Sequence, residues 1–421
     1  LKTKNILGFN LWKSAQSAEK LLASLRLCGS LPPNHEHAGW EKVQMQSPMT
    51  DASSLWPEPA AGKWGGFLAG LRVLDLSRHL PGPLASLLLV DLGASVLKIE
   101  PPAGDEMRAI GPIGARGLSI YFEAVNAGKV SLKLDLRNAA DKERFLALAG
   151  EADILLESFR PGTMDRLGLG PEMVRARNPR LIWCSLSGFG ADGPRRDQAG
   201  HDNNYLALNG VLAGTGLADR PVFFDPPVAD VTGSMMAAIA MLGAVNKRAR
   251  DGEGCVLDLA LADSVMPLVS FPLAGLDAGR GAPVREGELL NGGAARYRLY
   301  RCADGRFATL GAIEPKFWRA FCEAAGHPEW VARYDAPLPQ TALIAEVAAF
   351  FAALTLDEAI ARLEPADCCF APVLTLDQAV ETEQMQARGL VRRGADGHWQ
   401  ALFPGKADGE APAVRRGWQE V

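Results

Sequence analysis

The chain has 421 residues, 48% of them hydrophobic, enough for a substantial core and for two or three domains. It carries 44 Lys and Arg against 49 Asp and Glu, a net charge of −5. This excludes the strongly basic balance of a nucleic-acid binder, so an anionic ligand needs a local basic site. The seven cysteines show neither a CxxC pair nor metal-ligand spacing. They are read as reduced thiols of a cytoplasmic protein, with no metal expected.

Residues 1–66 are rich in Ser, Pro, Trp and Ala, and are read as an N-terminal extension without chemistry. Within them, residues 17–27 are a candidate amphipathic helix, and Met49 is the expected ordinary start. No apolar run reaches the roughly 18 residues of a membrane span, so no membrane partner is expected. The longest stretch, around Met235 to Val245, ends in Lys247, Arg248 and Arg250 and reads as a core helix. Cations at its C-terminal end suit the helix dipole.

From Leu71 onwards the pattern is regular. Leu71–Leu76 reads as a buried strand, followed by a helix from Pro81 through Leu92 and a strand over Val96–Glu100. A strand over Val130–Leu136 and a helix over Ala139–Leu148 come next, then strands Ile154–Leu156 and Leu181–Cys184 around a helix at Pro171–Ala176. Strands alternating with helices predict an α/β fold with a mainly parallel sheet. The continuous apolar runs are those of strands covered on both faces. The turn Ser187–Gly193 is Gly-rich but is not GxGxxG, which gives little support for a dinucleotide. The predicted large Rossmann-like domain spans 67–275 and is completed by about 395–421. A smaller α+β domain is expected over 287–385, with a hairpin from Tyr297–Tyr300 and Phe307–Leu310 about the Ala303-Asp304-Gly305 turn. Its helices are predicted at Pro315–Ala325, Thr341–Leu354 and Leu356–Leu363.

Two stretches carry a family likeness: Glu157-Ser158-Phe159-Arg160-Pro161-Gly162 on to Arg166 and Gly170, and Asn178-Pro179-Arg180 through Gly190 to Pro194. They resemble the family III coenzyme A-transferases, a superfamily that also holds the α-methylacyl-CoA racemases. The likeness runs from about Leu71 to near Val391. Gly200-His201-Asp202-Asn203-Asn204-Tyr205 narrows it, because the transferases carry the aspartate without the preceding histidine and use it as an acyl carrier. Pro227-Val228-Ala229-Asp230, Leu290–Ala295 and Gly311-Ala312-Ile313-Glu314-Pro315 resemble further racemase segments, most like those of bacterial enzymes. Two departures stand out. Val231-Thr232-Gly233-Ser234 replaces a run of glycines after Asp230, and Pro101-Pro102 occupies a position where a racemase can carry arginine.

The resemblance implies racemisation of a 2-methylacyl-CoA thioester, with His201 and Asp230 as the acid–base pair and no cofactor, since CoA is part of the substrate. Inverting a carbon α to a carbonyl requires a proton to leave one face and return to the other, so one group is needed on each. Histidine suits one role near pH 7. The aspartate must be held partly protonated by burial, which apolar Val228, Ala229 and Val231 would supply. Glu314 is expected to support the imidazole, and Asp202 to be a site carboxylate partnered by backbone amides. Free N–H groups at the start of the Asp230 helix are expected to face the enolate oxygen. Arg160 and Arg166 are the expected grips on the CoA phosphates, with Lys98, Arg137, His79 and Tyr205 as further binding candidates. The family also implies an interlocked homodimer, with Glu314 reaching from the partner chain. Two rival readings stay open: a CoA-transferase working through Asp202, and a non-catalytic CoA-binding scaffold.

Overall fold

A computed structural model describes residues 52–421. The candidate helix at 17–27 and the expected start at 49 lie outside these residues.

The main sheet has seven strands. In chain order they are β1 (Arg72–Asp75), β2 (Ser95–Glu100), β3 (Val130–Lys133), β4 (Ile154–Glu157), β5 (Ile182–Ser187), β6 (Val256–Ala260) and, from the C-terminus, a two-residue strand at Gln419–Glu420. From that C-terminal strand the spatial order runs through β3, β2, β1, β4 and β5 to β6, and all six pairings are parallel. This is the Rossmann-like α/β arrangement. Chain direction across the sheet reverses between β1 and β4, and ligands of such sheets bind outside the carboxyl ends of the strands at that reversal. The strands are buried on both faces: every residue of β2 and of β4 is buried. One apolar core, with Val73, Leu89, Ile154, Ile182 and Met241, covers one side, and a second, with Leu74, Leu97, Phe145, Leu155 and Trp183, covers the other.

Local chemistry sets the helix ends. Helix α1 (Pro81–Asp91) opens on a proline, whose missing N–H costs nothing at that position. Helix α2 (Ala139–Glu151) is capped by Asn138, whose side chain accepts from the N–H groups of Ala140 and Asp141. Two helices build the site: α3 (Asp202–Leu208) and the 24-residue α4 (Val228–Asp251), which stops at Gly252 in a left-handed conformation. Helix α4 begins two residues before Asp230, where the helix was expected to open, and runs six residues past Val245. By length and composition it could cross a membrane, but here it packs on α1, β5 and β6 and buries Ala237, Ala238, Met241 and Ala244.

A second, antiparallel sheet joins β7 (Tyr297–Arg301), β8 (Phe307–Gly311) and β9 (Phe370–Pro372), in the order β9-β8-β7. The predicted hairpin is present in register, with Phe307 opposite Arg301. An aromatic core of Tyr300, Trp318, Phe321, Trp330 and Phe351 fills the space between this sheet and helix α5 (Pro315–Ala325).

Residues 52–66 are not a loose extension. Trp56 is buried and donates its indole N–H to Glu151, and Trp64 donates to the carbonyl of Glu410 and packs on Phe403. The folded unit therefore starts before the expected boundary at residue 67.

Candidate active site

Two cavities meet at the carboxyl ends of β1 and β4. The larger, about 700 Å³, is lined by residues following β1, β2, β3 and β4, among them Leu76, Pro101, Pro102, Leu136, Arg137 and Thr163. The smaller, about 340 Å³, is lined by Pro81, Leu186, Gly188, Gly200, His201, Tyr205, Asp230 and Leu261 among others. Arg78, His79, Ser158, Phe159 and Arg160 line both, so the two spaces form one groove with a shared wall. The arrangement suits an elongated ligand whose anionic end fills the larger space and whose reactive end reaches His201 and Asp230.

His201 precedes the first residue of α3, and its backbone N–H is held by the Asn204 side chain at 3.0 Å. The imidazole is exposed to the smaller cavity. Asp230 is the third residue of α4 and half-buried. Burial pushes its carboxyl up to about 6, the negative charge of Asp202 pushes the same way, and His201 pulls it back. An ordinary aspartic acid at 3.8 would be almost wholly ionised at pH 7. Raised to about 6, Asp230 keeps its proton at pH 7 far more often than an ordinary aspartic acid does.

Asp202 starts α3 and turns its carboxylate onto the start of α4. Its Oδ1 accepts the backbone N–H of Ala229 at 2.6 Å and of Asp230 at 3.1 Å. It thus caps a helix distant in sequence and fixes the backbone that carries Asp230. The same contacts correct one expectation. These two amides are occupied and are not free to receive an enolate oxygen.

Tyr205 lies between two glycines. A Cβ on Gly188 would come within 2.6 Å of the Tyr205 hydroxyl, and one on Gly200 within 2.8 Å of its ring, so only glycine admits the tyrosine there. Its hydroxyl donates to the Gly200 carbonyl at 2.7 Å and its ring stands edge-on to Phe189. Burial, with the charges of Asp230 and Asp202, pushes the phenol up to about 12. Tyr205 therefore supplies a wall and braces the loop that carries His201; its hydroxyl is committed to that loop.

The binding candidates separate. His79 and Arg160 stand on the shared wall, and Arg137 lines the larger cavity while bonded to Asp135. Arg166 does not line either cavity, but it donates at 2.9 Å to Thr163, which lines the larger one. Lys98 cannot reach a ligand. It is fully buried, paired with Asp105 at 3.0 Å and bonded to the Ser77 carbonyl. Its strand-end position gave no sign that the side chain points under the groove. Glu314 is not brought to His201 within one chain. It is exposed at the start of α5, near enough to Cys369 for its charge to add to the burial that raises that thiol.

Sequence reasoning missed Arg78, which lies on the shared wall with its guanidinium 5.1 Å from the Phe159 ring centre. It also missed Ser158 and Phe159 as lining residues. The signal for all three is position just past β1 and β4, which becomes readable only once the strand order is known.

The model of CoA-transferase family III matches residues 68–417. The chain belongs to that family. A crystal structure of a CAIB/BAIF family protein from Brucella suis superposes with a TM-score of 0.74 at 30% identity, covering 83% of this chain and 95% of that one. Among curated relatives, the α-methylacyl-CoA racemase of Homo sapiens is 34% identical over 76% of this chain and 81% of its own length. The succinyl-CoA:mesaconate CoA-transferase of Haloarcula marismortui is 37% identical over 64% of this chain and 70% of its own. Family III thus contributes relatives of both activities, and an acyl-CoA substrate is consistent with either.

Proposed function

We propose that this chain racemises the α-carbon of 2-methylacyl-CoA thioesters by proton transfer between His201 and Asp230. The observation that carries the reading is the division of labour between two carboxylates. Asp202 is tied by Oδ1 to two backbone amides, whereas Asp230 faces the cavity beside His201 and is raised to about 6. A transferase reading would use Asp202 as the nucleophile. Two N–H donors on its carboxylate stabilise the anion and blunt it for that role.

The step balances with these two groups. A neutral imidazole nitrogen of His201 takes the α-proton, and the C–H electron pair moves into the enolate. The Asp230 carboxylic acid then delivers its proton to the opposite face, leaving imidazolium and carboxylate. The reverse reaction starts from that second state. The scheme calls on no redox cofactor or metal, and CoA enters with the substrate. Arg160, His79 and Arg137 would hold the CoA end.

The same proposal extends to a homodimer. Phe223, Ile239 and Phe271 stay 77%, 60% and 79% exposed, large apolar side chains of the kind a second copy covers. In that assembly the partner subunit's Glu314 would reach His201. A cytoplasmic location fits the described cysteines, all of them free.

The test is solvent exchange. In D2O, with no acceptor acid present, a 2-methylacyl-CoA should gain deuterium at the α-carbon and lose optical activity. A demand for an acceptor acid, together with a hydroxylamine-trappable adduct at Asp202, would instead establish transfer.

A further inference from the structure

Beneath the groove lies a buried charged cluster that the proton transfer does not use. Lys129 donates to Asp75 Oδ2 at 3.2 Å, to the Pro83 carbonyl at 2.8 Å and to Asn126 at 2.9 Å, and Ser86 donates to the same carboxylate. Asp75 Oδ1 accepts the backbone N–H of Ser77 at 2.9 Å. Lys98 donates to the Ser77 carbonyl at 2.7 Å and pairs with Asp105. Lys98, Lys129 and Asp75 have no solvent exposure. Taking these charges out of water is costly, and their ion pairs and hydrogen bonds to one another and to the backbone offset that cost.

What they hold is the loop on the shared wall. The peptide joining Ser77 to Arg78 is gripped at both ends: Lys98 holds its oxygen, and the Ser158 hydroxyl accepts its N–H at 3.0 Å. A peptide plane fixed at both groups cannot rotate. The next residue, His79, has φ +60°, a left-handed conformation that non-glycine residues adopt only when their surroundings impose it. Arg78 and His79 then project into both cavities.

We propose that Lys98 is a positioning residue for coenzyme A binding, acting from below through the Ser77–His79 loop. The proposal rests on the acyl-CoA reading of the groove but not on racemisation, because its readout is CoA affinity.

The test uses the full chain and titration calorimetry with free CoA. Lys98→Met combined with Asp105→Asn removes both buried charges, so that no orphan carboxylate is left to unfold the protein. CoA binding should weaken about tenfold and KM for a 2-methylacyl-CoA should rise alike, with kcat within about threefold of the parent. Glycine adopts φ +60° without steric cost, so in a His79→Gly background the same pair of changes should weaken CoA by less than about threefold. Affinity within about twofold of the parent, or an equal penalty in both backgrounds, overturns the proposal. Should the double variant fail to fold, Ser158→Ala takes the acceptor from the same peptide at the surface. Ser158 itself lines the groove, so only the difference between backgrounds is read: the loss of CoA affinity should be about threefold larger with His79 present than in the His79→Gly background, and equal losses again overturn the idea. A parent chain that binds no CoA removes the groove reading and this proposal with it. Tight CoA binding with the expected pattern but no α-exchange sinks racemisation alone.

Discussion

Asp75 lies under the groove and Asp230 in its wall, and burial disfavours the charge of both. At Asp75 that effect is overcome. Burial pushes the carboxyl up, but Lys129, Lys98 and the hydroxyls of Ser77 and Ser86 bring it down to about 2. At Asp230 nothing comparable opposes burial. The charge of Asp202 adds to burial, His201 offsets only part, and the group stands at about 6. Lost water alone therefore does not decide what a buried acid is for; its partners do. A carboxylate surrounded by cations is a fixed structural anion, and one beside a second anion keeps a proton it can give away.

The sharpest way to break this contrast is to remove the proton carrier. Asp230→Asn should lower inversion of a 2-methylacyl-CoA about 10³-fold, because one face of the α-carbon then has no acid or base. The epimer whose proton points at His201 should still exchange deuterium, but with retention, since the imidazole can return what it took to the same face. Chiral analysis of the acyl group alongside mass spectrometry separates the two outcomes. Equal loss of exchange from both epimers would mean that the pair does not flank the carbon.

Asp75→Asn probes the other carboxylate and should spare proton transfer while weakening the fold. It leaves Lys129 buried without its anion, a change worth about 3 kcal/mol, or a drop of roughly 5 °C in the thermal midpoint. The sign of the pH effect follows from the lowered value. A folded-state carboxyl at about 2 stabilises fully above its ordinary 3.8 and loses that contribution as pH falls towards 2. The parent should thus shed stability over that window faster than the variant, as read by thermal melts at stepped pH. Identical melts would demote the cluster to bystander.

The contrast also marks what was legible in the sequence. Elements with strong local signals were readable. Helix Pro315–Ala325 opens on proline after Glu314, the hairpin turns on Asp304-Gly305, and Leu356–Leu363 starts from Thr355 with Glu358 three residues on, a capping box. The motifs around Arg160 and His201 pointed to the family, and Asp202 meets backbone amides as expected. The failures share one cause, that side-chain direction and long-range pairing are not local properties. Lys98 and Arg137 both stand near strand ends, yet one points into the core and the other to water. The two residues at Gln419–Glu420 are a strand only because β3 lies beside them, and Trp56 and Trp64 are held by residues far along the chain, Glu151 for the first and Glu410 and Phe403 for the second. Glu314 is not explained by one chain at all.

The smallest expected effect is the most specific to the site. Asp202→Asn keeps a side-chain oxygen to accept the Ala229 and Asp230 amides, so the start of α4 should hold its place while a negative charge disappears. That charge helps to raise Asp230, and without it the carboxyl releases its proton at lower pH. Both reactant states of the pair, neutral imidazole with carboxylic acid and imidazolium with carboxylate, contain one shared proton. The two directions must therefore follow the same bell-shaped pH profile, whose limbs belong to the pair. The alkaline limb marks loss of that proton and should move to lower pH by the same amount for both epimers. The rate at pH 7 should fall by less than about tenfold, since no group that touches the α-carbon has been removed. Profiles of α-exchange from each epimer measure this directly. If exchange vanished altogether in the variant, or the limb stayed where it was, Asp202 would be more than a charge beside the acid, and the division of labour between the two aspartates would have to be redrawn.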